Sequence, residues 1–70
     1  MDEKYEIIAF RAFMEHIQKE LRYAMDHHWP KELIIEKGFD EAYIRSKIDE
    51  IEFLMSDAII DLKDVEYHTE

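Results

Sequence analysis

Any chemistry in this chain of 70 residues must come from four histidines, eighteen carboxylates, nine bases and a few hydroxyls, because it has no cysteine. His27 and His28 are adjacent, so on a helix their side chains diverge by about 100° and cannot hold one ion together. His16 stands four residues before Glu20, and Asp64 four before His68, which offers two ligands per helix face. A structural transition-metal site takes four ligands from a rigid cage. The Glu-x-x-His repeat of di-iron bundles is absent, since Phe13, Ala24, Met25 and Val65 stand three residues before the histidines. No metal or cofactor is expected, and the histidines read as solvated or rim residues near helix ends. Ser46, Ser56 and Thr69 have no histidine and carboxylate at a spacing that would make a nucleophile. The carboxylates are many, but no two are marked by contrasting surroundings as an acid and a base. The expectation is a protein that is not an enzyme.

The balance of charge is more informative. The formal net charge is −9, which opposes direct binding to a phosphate backbone, because neutralising phosphates takes a basic surface. An acidic surface instead suits a protein partner with a basic face. Glu50, Asp57 and Asp64 recur at seven-residue spacing, with Asp61 and Glu66 close by. Asp57 and Asp61 are like charges four apart, and Asp64 and Glu66 stand where the negative end of a helix dipole would be. Local rules broken without a local gain mark these five as candidate partner-binding residues.

The elements that position them follow from periodicity. Ile7, Phe10, Met14, Ile17, Leu21, Ala24 and His28 alternate three- and four-residue steps, predicting a helix over about 3–28 that Pro30 stops. Ile44, Ile48, Ile51, Met55, Ala58, Leu62 and Val65 repeat the pattern over about 41–66, with Asp40 placed to cap it. Between them, 31–37 reads as a short connector helix started by Pro30 and closed by Gly38. The expected fold is all-α and fills residues 1–70 as a single helical domain. Two long helices run antiparallel, and the two stripes just named face each other across the seam. No stretch is long and apolar enough to span a membrane, no secretory signal is apparent, and the expected location is cytoplasmic.

Each long helix carries a second apolar stripe. Phe53, Ile60 and Tyr67 recur every seven residues on the second, and Tyr5 belongs to the corresponding set on the first. A lone hairpin buries one stripe per helix, and a core this small is marginal by itself. The second stripe therefore predicts either a homodimeric four-helix bundle or a partner site. With the termini side by side, one pole of the hairpin collects Asp2, Glu3, Glu6, Asp57, Asp61, Asp64, Glu66 and Glu70 against Lys4 and Lys63.

From Ile17 to Met55 the layout resembles the small helical-hairpin aspartyl-phosphate phosphatases that act on sporulation response regulators. Leu21-Arg22 with Met25, the Lys37-Gly38-Phe39 turn and Ile48-Asp49 opening an apolar helix carry the likeness. That family's hallmark is Ser-Gln-Glu-Leu-Asp; the aligned residues here are Arg45-Ser46-Lys47-Ile48-Asp49. The resemblance implies a regulator that dephosphorylates or binds a response regulator, with Asp49 and its neighbours essential. In size and charge alone the chain is also similar to small acidic phage-encoded inhibitors, including anti-CRISPR proteins, which would imply imitation of nucleic acid. The composition itself points first to a non-enzymatic regulatory module that binds a protein partner stoichiometrically.

Overall fold

A computed structural model describes residues 2–69. Three helices follow in chain order: α1 (Glu3–His27), α2 (Lys31–Glu36) and α3 (Glu41–Tyr67). Among the described residues there is no strand. Each boundary has a side-chain or backbone cause. The Asp2 carboxylate accepts the Lys4 amide at 3.0 Å, and Glu3 and Glu6 occupy the first turn of α1, where the dipole favours them. At the other end His28 donates its amide to the Ala24 carbonyl, and Pro30 bars continuation. Gly38, at φ 85°, closes α2. Its amide reaches the Ile35 carbonyl and the Phe39 amide the Ile34 carbonyl, the paired bonds of a Schellman turn. Two residues later the Asp40 carboxylate accepts the Tyr43 amide at 3.1 Å and starts α3.

The long helices lie antiparallel in a rod of 53 × 17 × 16 Å. Arg11 meets Glu66, Gln18 meets Ser56, and Arg22 meets Glu52, so partner numbers fall as α1 advances. α2 packs on α3 alone. Among the described residues only Met25 and Ile59 are buried, at 8% and 6% exposure.

The two three-and-four stripes do not face each other, which corrects the seam expected from periodicity. Pointing straight across are Lys4, Arg11, Gln18 and Met25 on α1, against Arg45, Glu52, Ile59 and Glu66 on α3. Each is at least half-buried. Most are polar, and Arg11, Gln18, Glu52 and Glu66 find partners across the gap. On one side of this line the contacts continue as polar, through Glu15, Arg22, Ser56 and Lys63. On the other side lie Ile7, Met14 and Leu21 beside Ile48, Met55 and Leu62, all half-buried. One step further round, Phe10, Ile17 and Ala24 flank α1, and Ile51, Ala58 and Val65 flank α3, all exposed. Seven-residue phasing on antiparallel helices turns both flanks to the same side. The hairpin thus has a polar ladder on one side of its seam and a broad apolar face on the other. His28, also assigned to the seam, is exposed.

Candidate functional site

The ladder takes up three of the nine bases, Arg11, Arg22 and Lys63. Arg11 is held between two carboxylates: Nη2 stands 2.7 Å from Glu66 Oε1, and Nη1 3.0 Å from Glu15 Oε1. The hydrogen bonds to Glu66 and then Glu15 raise the Arg11 pKa above its ordinary value, so the guanidinium is charged at every accessible pH. Lys63 Nζ approaches Glu15 at 3.9 Å, and Arg22 Nη2 lies 2.6 Å from Glu52. Arg45 and Lys47 lie over the rings of Trp29 and Tyr43. The Trp29 indole donates to Glu41 at 2.6 Å, tying the end of α1 to the start of α3.

Glu50, Asp57 and Asp64 form one exposed line on the back of α3, away from α1, and Asp61 stands beside them. Among the described residues none of these four has an ion-pair partner. Glu66 stands apart from them, turned into the ladder against Arg11. Glu70, counted in the acidic pole, lies outside the described residues. Phe53, Ile60 and Tyr67 run along the flank of α3 on the polar-ladder side, next to the acidic line, and Tyr67 is 82% exposed. Tyr5 lies on the same side of α1 and is exposed. The acids and aromatics of the sequence reading therefore share one surface, except Glu66.

The other chemistry-bearing residues are scattered or occupied. Among the described residues no three of His, Cys, Asp and Glu gather where an ion could sit. His16 lies 3.9 Å from Glu20 on an exposed turn. His27 and His28 pack against the Tyr23 ring, at 4.4 and 5.6 Å between centroids, and His68 lies edge-on to Tyr67. Ser46 and Thr69 donate to the carbonyls of Tyr43 and Val65, a habit of helix hydroxyls, while Ser56 accepts from the Gln18 amide. Asp49 is exposed. An open hollow against α2 is lined by Trp29, Pro30, Leu33 and neighbouring charged residues.

Sequence reasoning missed the ladder and the Trp29–Glu41 tie. The signal for the ladder was present as Arg11 and Gln18 in phase with Met25, and Glu52 and Glu66 in phase with Ile59. Scanning for apolar residues alone passes over it. No described helix is long and apolar enough to cross a membrane. Comparison with protein-family models, curated proteins and solved structures found no match to this chain.

Proposed function

We propose that this protein is a non-enzymatic interaction module that binds a protein partner stoichiometrically through the back and flank of α3. One observation carries the reading: Arg11, Arg22 and Lys63 pair within the hairpin and Arg45 and Lys47 lie over aromatic rings, while Glu50, Asp57, Asp61 and Asp64 have no ion-pair partner among the described residues. A line of uncompensated acids attracts a basic surface and steers its approach. Phe53, Ile60 and Tyr67 next to it supply the apolar contact that charge alone lacks, since aromatic anchors carry much of an interface's energy. The functional form we propose is a homodimer, two hairpins making a four-helix bundle. Its support is a core of two buried residues in a chain with apolar side chains exposed on both sides of the seam.

The test is capture of partners on the immobilised protein at about 50 mM and about 500 mM salt, a range over which exposed charges become screened. A partner with a basic surface, held at low salt and released at high salt, is expected. Asp57→Lys and Asp64→Lys together should abolish its capture. Binding that ignores both salt and charge reversal overturns the acidic site.

A further inference from the structure

The apolar face opposite the polar ladder has no cover within the hairpin. Phe10, Ile51 and Val65 are about half exposed on it, and α2 packs on α3 without reaching α1, so it does not close over the two helices. The molecule as a whole exposes more surface than a compact chain of its mass. A compact protein of this mass exposes about 4,700 Å²; this chain of 8.6 kDa exposes 5785 Å². The excess of about 1,100 Å² exceeds the roughly 800 Å² that each partner contributes to a standard stable interface.

The order of residues on α3 says what covers it. Lys47, Leu54 and Asp61 mark the outer edge of the face at seven-residue spacing, and Ile51 and Ala58 lie inside that edge. Two α3 helices laid antiparallel about the level of Leu54 bring Lys47 against the partner's Asp61 and Ile51 against the partner's Ala58. Base then meets acid and large meets small, and a two-fold axis repeats each match. The same arrangement sends the two acidic poles to opposite ends of the bundle, where they repel least.

We propose that the occupant of this face is a second copy of the chain, docked α3 against α3 in antiparallel orientation with Ile51 opposite the partner's Ala58. The proposal rests on the self-association proposed above and adds its face and register. It takes up Asp61 at the edge of the interface and leaves Glu50, Asp57 and Asp64 with Phe53, Ile60 and Tyr67 on the outside of the bundle, open to another protein.

Light scattering in the tens-of-micromolar range, with circular dichroism as a check on helix content, reads the first part. The wild type should have the dimer mass. Ile51→Glu should raise the dimer dissociation constant by about 100-fold or more, the scale of losing an anchoring side chain. Ile60→Glu should leave the mass unchanged. Because Ile51→Glu can uncouple folding along with pairing, a second measurement works on the intact dimer. The chain has no cysteine, so the single variants Ile51→Cys and Ala58→Cys each carry one thiol. An oxidised mixture of the two should form a covalent heterodimer, while each alone should not, since like positions lie about 10 Å out of step. A monomeric wild type overturns self-association together with this proposal. A dimer broken by Ile60→Glu and not by Ile51→Glu overturns the face and leaves self-association standing. A dimer whose mixture fails to cross-link overturns the register.

Discussion

Neighbouring isoleucines on α3 show how sharply position decides energetic weight. Ile59 is one of two buried side chains among the described residues, and Ile60 is more than half exposed on the flank. Ile59→Ala should cost about 2–4 kcal/mol through lost burial and an unfilled space. Ile60→Ala should stay within about 0.5 kcal/mol, as an ordinary surface change. Urea unfolding of both variants at one protein concentration makes the comparison. Arg11 is the other residue of consequence, because it joins α1 to α3 through Glu66 while also holding Glu15 on its own helix. Its raised pKa contributes stability that is complete below the ordinary arginine value and is lost only as pH climbs beyond it. No titration in the working range therefore touches this group. Arg11→Met, which keeps the stem and removes the charge, should lower the melting temperature, and by less in 1 M salt than in dilute buffer. Equal losses at both salts would assign the role to packing alone.

At the scale of elements, three helices in this order were legible because their punctuation is unambiguous. One proline and one glycine stand between two long periodic runs, and Asp40 precedes the second. Their roles lend themselves to direct measurement. Asp40→Ala removes the acceptor for the Tyr43 amide and should cost about 1 kcal/mol. Gly38→Ala should cost about 1–2 kcal/mol from the left-handed backbone alone, since a Cβ there meets nothing within 4 Å. Denaturant midpoints would show both, and a neutral Gly38→Ala would mean the turn can change conformation freely. What periodicity left undecided was phase. The stripes through Ile7 and Ile44 are real, but each spans an arc wide enough to face a neighbour directly or to lie beside it. Arg11, Gln18, Glu52 and Glu66 settle the matter by pairing across the gap, which turns the apolar stripes to one side. Charge complementarity between two segments some 40 residues apart is invisible to a scan along either one.

For the molecule as a whole, the thin seam and the unpaired acids are two sides of one allocation. Arg11, Arg22 and Lys63 pair inward with Glu15, Glu52 and Glu66, and with eighteen acids to nine bases the carboxylates on the back of α3 stay uncompensated. If the acidic line is the binding surface, its affinity for a basic protein should fall steeply with salt, and Glu66→Gln should affect stability more than binding. Isothermal titration against a captured partner, beside a melting curve for the same variant, separates the two. A Glu66→Gln variant that loses binding while keeping its melting temperature would return Glu66 to the acidic surface.

The helical class, the positions of the three helices and their caps, and the excess of acid were decided along the chain. Each depends on local backbone preference, on spacing within one segment, or on counting. Which apolar residues are covered, which acids are paired, and which face is left open were decided only by the docking of α1 on α3. Those properties depend on the rotation of one helix relative to the other. That rotation is set by the sum of pairings across the gap, which no single segment contains.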